Sequence, residues 1–210
     1  MFTGIVQCQA HVVAMKMVEG VKRLVISVNK DYLQHLDLGA SIAINGCCLT
    51  VVKVESVASD VVGQVHFDVI DETLALTNLG QLEAGHAVNF ERSVTFGTEL
   101  GGHIVSGHIH CVSQVLERID EQDNCRIHLS LPEKWRDYVL YKGFVSVNGA
   151  SLTVGELTEQ GFWLHLIPET LAITNIGLAQ QGTQFNIEVD QQTYTIVQTV
   201  QRYMQQNGRV

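Results

Sequence analysis

Two residues in matched surroundings invite different chemistry: Cys48 in Asn45-Gly46-Cys47-Cys48-Leu49-Thr50-Val51, and Ser151 in Asn148-Gly149-Ala150-Ser151-Leu152-Thr153-Val154. A thiol ionises far more readily than a hydroxyl, so two sites of one shape would differ in reactivity. Cys48 by itself also reads as a small buried apolar residue, a common fate of free cysteines. A second concentration of functional groups is Gly101-Gly102-His103-Ile104-Val105-Ser106-Gly107-His108-Ile109-His110-Cys111. On a strand His108 and His110 would share one face and Cys111 the other. Zinc takes three or four converging ligands, and the further ligands are missing, so no metal is expected. Nor do the glycines have the spacing and following helix of a dinucleotide loop. Thr50, Thr73, Thr153, Thr170, Asp68, Asp190, Lys142 and His165 supply hydrogen-bonding groups near strand ends, where turn or surface duty is the commoner role. Thr50 with Thr153 and Thr73 with Thr170 recur at matched positions, which points to two equivalent pockets for one polar ligand.

A duplicated module must position these residues. At a shift of 103 the two Asn-Gly segments above agree at five of seven positions. At a shift of 97, Glu72 to Gly80 meets Glu169 to Gly177 with seven of nine identical, and the register then carries Gly85 to Glu91 onto Gly182 to Glu188. The boundary between copies falls near Phe96-Gly97-Thr98, giving barrels over 1–97 and 98–192 and a helix with its tail over 193–210. Segments rich in Val, Ile and Thr between Gly or Asn turns read as strands. Ser41 to Ile44 and Val145 to Val147 lead into Asn-Gly, a hairpin signal because both turn residues accept positive φ. Many short strands in each copy suggest closed barrels, which leave no exposed edge. Helical turns are expected at Asp31 to Leu38 and at Pro132 to Leu140. A helix without counterpart is expected over Thr193 to Gln206, with Ile196, Val197, Val200, Tyr203 and Met204 on one face, either docked on its own barrel or used for self-association.

The 210 residues suit two compact domains of about 100 residues each. Charged residues make up only 17%, against about 25% in ordinary domains, so ligand or other subunits are expected to cover part of the surface. A net charge of −9 without a Lys/Arg cluster argues against nucleic acid. No basic leader and no long apolar run is present, so a soluble, unexported protein is expected. Cys8, Cys47, Cys48, Cys111 and Cys125 form an odd set without a C-x-x-C pair, which reads as reduced thiols in a cytoplasm.

Met1 to Val6, Asn45 to Val51, Gly101-Gly102-His103 with Ser106-Gly107-His108, Tyr141-Lys142-Gly143, Gly149 with Ser151 to Val154, and Ile167 to Leu171 together closely resemble the riboflavin synthase family, alpha chain. The likeness runs from Met1 to about Arg202. It implies an all-β fold of two tandem six-stranded Greek-key barrels related by internal duplication, plus a C-terminal α-helix around which three copies assemble. It implies dismutation of two 6,7-dimethyl-8-ribityllumazine molecules by four-carbon transfer, giving riboflavin and 5-amino-6-(ribitylamino)uracil without metal or redox cofactor. One lumazine would sit in each barrel, with the active site formed between the N-terminal barrel of one subunit and the C-terminal barrel of another.

The resemblance assigns a first pocket to Gly4, Ile5, Val6, Cys48, Leu49, Thr50, Asp68, Val69, Ile70, Asp71, Glu72 and Thr73, with Gly107, His108 and Ile109 from the chain between barrels, and counts Ser41 and His103 as further substrate-binding residues. It assigns a second to Lys142, Ser151, Leu152, Thr153, Ile167, Pro168, Glu169, Thr170, Leu171 and Ala172. Cys48, His108, Ser151 and Asp190 are the catalytic candidates: Cys48 or a water beside it assisting attack on one ring, His108 shuttling the proton lost from a ring methyl, Ser151 and Asp190 holding the second lumazine. Where the family pattern leads one to expect a polar or charged residue after the Glu-Thr-Leu of the second copy this chain has Ala172, and Asp71 and Ala75 make the first-copy loop more acidic and smaller. A non-catalytic lumazine- or flavin-binding antenna shares the ancestry, but there the thiol and histidine motifs are eroded. A reductase flavin domain would need a nucleotide domain for which no residues remain.

Overall fold

The computed structural model describes residues 1–18, 20–57, 61–122 and 124–208. Among them, six strands make a first closed barrel: β1 (Cys8–Val18), β2 (Val21–Asn29), β3 (Ser41–Ile44), β4 (Cys47–Ser56), β5 (Val62–Val69) and β6 (Ala87–Arg92). The same path recurs in β7 (Cys111–Glu121), β8 (Asn124–Ser130), β9 (Phe144–Val147), β10 (Ala150–Leu157), β11 (Gly161–Leu166) and β12 (Gln184–Val189). Around the first barrel the order is β1-β2-β5-β4-β3-β6, antiparallel throughout, and β6 closes the ring on β1. Each barrel keeps its own core, built on Leu24, Ile42, Phe67 and Phe90 in one and on Ile127, Val145, Phe162 and Phe185 in the other.

The Asn-Gly turns have the expected left-handed backbone, with φ of 47° and 78° at Asn45 and Gly46 and of 45° and 85° at Asn148 and Gly149. The two turns meet tip to tip: a Cβ on Gly46 would lie 2.5 Å from the Gly149 nitrogen, so no side chain fits there. The expected helical turns are shorter 3-10 segments, Lys30–Leu33 and Glu133–Tyr138. In the first, His35 at φ 53° and Gly39 at φ 84° break any continuation. Two short helices appear that periodicity did not reveal, α1 (Asp71–Leu76) and α2 (Pro168–Ile173). Their signals are local: Asp71 and Glu72 in one first turn, Pro168 and Glu169 in the other.

The third helix, α3 (Gln191–Gln206), starts two residues before the expected Thr193, because Asp190 caps it by accepting from the Thr193 backbone and hydroxyl at 2.8 Å. The last two residues of the expected tail lie outside the described residues. Tyr194 and Val197 pack on the second core, and Gln198 hydrogen-bonds the Tyr138 hydroxyl. Val197 therefore leaves the apolar face expected for it; Ile196, Val200 and Tyr203 remain 50–63% exposed.

A buried seam of asparagines joins the barrels. Asn78 N donates to Asn186 Oδ1 and Asn175 N to Asn89 Oδ1, both at 2.7 Å. The Asn89 and Asn186 amides donate to the main-chain oxygens of Asn148 and Asn45, both at 2.9 Å. Each bond has its mate under the shifts that relate the copies, so the repeat is a pseudo-twofold axis in space. Polar side chains tolerate such burial only when their partners are complete.

The arms ahead of the barrels cross that axis. Phe2 and Val105 exchange backbone hydrogen bonds of 2.8 and 3.1 Å. Beyond this bridge Val6 enters the second barrel's core, while Ile109 packs on the first. Each barrel is thus closed by a residue from the arm that leads into the other.

Candidate active site

Strand alternation separates the residues after each hairpin. On β4, Leu49 and Val51 point into the core, while Cys48 is half-buried and Thr50 exposed, opposite Ala43 and Ser41 of β3. On β10, Ser151 is half-buried and Thr153 exposed, opposite Ser146 and Phe144 of β9. The crossing arms complete both places. Cys48 N donates to Gly107 O at 2.9 Å, and Ser151 N donates to Gly4 O at 2.7 Å. Gly107 and Gly4 have φ of 85° and 73°, and a Cβ on either would fall 2.5–2.6 Å from the Cβ of the residue it covers. Only glycine allows this approach.

The expected grouping with the first barrel is therefore corrected for Gly4 and Val6: Gly4 lies on Ser151 of the second barrel, and Val6 is part of that barrel's core, whereas Ile5 lines a cleft with Glu91 and Arg92 of the first. Sequence proximity placed all three with the barrel they precede; the crossing sends Gly4 and Val6 to the other. Gly107 and Ile109 do reach the first barrel. Leu49 and Val69 are buried in the first core, so any ligand contact there is through their main chain. At the start of α1 and α2 the matched pair Ile70 and Ile167 is 58% and 61% exposed, two apolar surfaces of the kind a flat ring system covers. Asp71, Glu72, Pro168, Glu169 and Ala172 are exposed in the same turns, and Leu171 packs on the core. Thr73 O and Thr170 O each accept from a threonine hydroxyl one turn later, Thr77 and Thr174, at 2.6 and 2.7 Å.

The copies differ in their charged groups. Asp68 receives a two-pronged bond from Arg23, 2.7 and 2.9 Å, which holds its carboxyl below the usual carboxylate range. His165, its counterpart at a shift of 97, instead meets Glu156 at 2.8 Å. Lys142 is exposed, with φ 63° and its ammonium 5.3 Å from the Tyr141 ring.

The second site holds a histidine the first has no counterpart for. His103 Nδ1 is 2.6 Å from Ser151 Oγ, and its ring stacks on Phe144 with centroids 5.2 Å apart. Burial lowers the His103 pKa, with nearby Asp190 opposing, so the ring is a neutral acceptor and donor at pH 7. Its Nε2 is buried without a partner among the described residues. Beside it opens a cleft of about 360 Å³ lined by Leu100, Gly102, Ile104, Phe144 and Asp190. Asp190 thus both caps α3 and faces the cleft.

The three histidines do not act together. Strand β7 begins only at Cys111, so His108 and His110 share no strand face. His108 is exposed with its backbone N on Glu188 Oε2 at 3.1 Å, whereas His110 is packed against Trp135 and Tyr194 and pushed down to about 4 by burial. Among the described residues no cluster of His, Cys, Asp and Glu converges as metal ligands, and no helix is long and apolar enough to cross a membrane.

The sequence matches the Lumazine binding domain family twice, over residues 3–93 and 106–190, the two halves of the duplication. It is 42% identical over 205 residues to the riboflavin synthase of Escherichia coli (strain K12), covering 97% of this chain and 93% of that one. The riboflavin synthase of Mycobacterium tuberculosis is 39% identical over 211 residues, 99% of this chain and 100% of that one. This chain belongs to the riboflavin synthase family. Solved structures of LumP have the same fold: its complex with riboflavin gives a TM-score of 0.79 at 29% identity over 90% of this chain and 99% of that one. Its complex with 6,7-dimethyl-8-(1'-D-ribityl) lumazine gives 0.77 at 26% over the same shares.

Two features of this riboflavin synthase family member escaped the sequence reading. The seam asparagines and the strand glutamates Glu91 and Glu188 all repeat in register, and a polar residue kept twice inside an apolar strand was the available signal.

Proposed function

We propose that the chain catalyses the riboflavin synthase reaction, in which one 6,7-dimethyl-8-ribityllumazine gives four carbons to another to form riboflavin and 5-amino-6-(ribitylamino)uracil. The observation that carries this reading is a pocket built twice to one plan and armed differently: a thiol at Cys48 under Gly107, and a hydroxyl at Ser151 under Gly4 and paired with His103. Two like substrates need two like pockets, and unequal roles need unequal groups. Ser41, Thr50 and Ile70 would hold one lumazine; Thr153, Lys142 and Ile167 the other. Cys48, or water beside it, assists addition to one ring. The neutral His103–Ser151 pair and the exposed His108 are placed to move the proton lost from a ring methyl. Orientation of two already reactive rings would contribute much of the rate, up to about 7–11 kcal/mol.

We assign the working form as a cytoplasmic homotrimer with two lumazines per site, each site shared between subunits. The exposed stripe Ile196, Val200 and Tyr203 on α3 supports association through that helix. Mixing purified protein with 6,7-dimethyl-8-ribityllumazine and following riboflavin absorbance tests the activity. Riboflavin should accumulate catalytically, and Cys48→Ser should lose at least about tenfold in turnover while still binding lumazine. A stoichiometric fluorescent complex without product would instead make the chain a lumazine-binding antenna.

A further inference from the structure

We propose that the buried glutamates Glu91 and Glu188 are positioning residues, each setting the pocket of the barrel to which it does not belong. Glu188 stands on β12 of the second barrel and is 1% exposed. Its Oε1 accepts from Ser106 N and Ser106 Oγ, both at 2.7 Å, and its Oε2 from Gly107 N at 2.8 Å and His108 N at 3.1 Å. Four donors converge on one carboxylate, an arrangement that an acceptor-only ionised group satisfies and a neutral amide does not. The segment so gripped is the one whose Gly107 O takes Cys48 N, with Gly107 pressed on the Cys48 side chain. Cys48 belongs to the first barrel.

Glu91, on β6 of the first barrel and 4% exposed, grips the matching arm through one oxygen, its Oε2 being buried without a partner among the described residues. Its Oε1 accepts from Thr3 N at 2.7 Å and Thr3 Oγ1 at 2.8 Å. The next residue, Gly4, takes Ser151 N of the second barrel. Neither carboxylate touches Cys48 or Ser151 through any hydrogen bond described. Each acts through an arm, and because the arms cross, its influence crosses too. A glutamate kept only to stabilise its own barrel would have no need to sit at the root of the arm, nor to grip three successive backbone N–H groups. A duplicated enzyme with two substrate pockets gains from this wiring a fixed height of each arm over the reactive side chain.

The proposal rests on Cys48 and Ser151 being pocket residues, but its test reads the unliganded protein and needs no turnover. In the Ser151→Cys background both pockets carry a thiol, and alkylation by iodoacetamide is followed at each position by peptide mass spectrometry. Cys47, buried and pushed up to about 12, serves as the unreactive neighbour. Glu188→Gln should speed alkylation at position 48 by about tenfold and leave position 151 unchanged; Glu91→Gln should do the reverse. Ser106→Ala and Thr3→Ala, which remove one donor and keep the carboxylate, should give the same crossed pattern at smaller amplitude if either glutamine variant does not fold. Acceleration at both positions, acceleration in the glutamate's own barrel, or no acceleration in folded variants would each overturn the proposal. An unsubstituted chain that makes no riboflavin, with the crossed pattern intact in the variants, would count against the functional reading alone.

Discussion

His110 shows how one side chain couples burial to pH. It occupies the place of Gln7 in the first copy: Val189 N donates to His110 Nδ1 at 3.2 Å, as Arg92 N donates to Gln7 Oε1 at 2.9 Å. Burial beside Trp135 and Tyr194 pushes His110 down to about 4, while an unfolded histidine titrates near about 6.5. The unfolded chain therefore binds a proton that the native one refuses, so this residue's contribution is neutral above about 6.5 and destabilises progressively as pH falls toward about 4. Glu91 and Glu188, raised by burial, act in the opposite sense and are common to both proteins in a comparison of variants. His110→Gln keeps the acceptor and removes the titration. Urea unfolding at about pH 7.5 and about pH 5 should show the variant losing less stability on acidification, by roughly 1 kcal/mol once partial exposure is allowed for. Equal acid sensitivity in both proteins would show that His110 protonates freely in the native state. At this scale the register made Cys48 and Ser151 legible, since the pair differs where its surroundings agree. The service of Gly4 to the second barrel was not legible, because proximity along the chain favours the nearer barrel and only the three-dimensional crossing reverses it.

Among the elements, strands and hairpins were the most legible, because Asn-Gly and β-branched runs are local signals. The two expected helical turns were drawn longer than the 3-10 segments that occupy them, and α1 and α2 are too short to show a helical period and were missed. Helix α3 carries a conflict that its sequence alone left open. Its Tyr194 and Val197 are committed to the second core, and Gln198 and Gln201 hydrogen-bond Tyr138. Ile196, Val200 and Tyr203 face outward with no partner in the chain's own core clusters. A single helix docks through one face and leaves the other for something else. Ile196→Glu with Val200→Lys places an attractive i, i+4 pair on the outer face, so helix propensity is preserved. The variant should keep its barrel melting transition and sediment as a monomer, while the parent is expected to sediment as the proposed trimer. A parent that is itself monomeric, or a variant that stays trimeric, would remove α3 from the assembly.

The whole molecule is less a pair of domains on a linker than a pair of barrels that finish each other. Cutting after residue 97 removes Ile109 from the first core, Gly107 from Cys48, and Asn148 and Asn186 from the seam. Each buried polar group left without a partner costs about 1–3 kcal/mol, so the barrel in isolation is penalised several times over. A second copy of the same fragment can make the loss good. Its Asn45, Asn78 and Asn89 correspond to Asn148, Asn175 and Asn186, its Phe2 to Val105, its Gly4 to Gly107 and its Val6 to Ile109. The pseudo-twofold of the full chain would become a true twofold, with both arms exchanged. The fragment 1–97 is therefore expected to sediment as a dimer, to place one lumazine beside Cys48 in each copy, and to dissociate and unfold together on dilution. Asn89→Ala should weaken the dimer by about tenfold or more, since it removes the donor to the partner turn. A fragment that remains a folded, cooperatively melting monomer would show that the crossing arms and the asparagine seam are dispensable to the barrel they close.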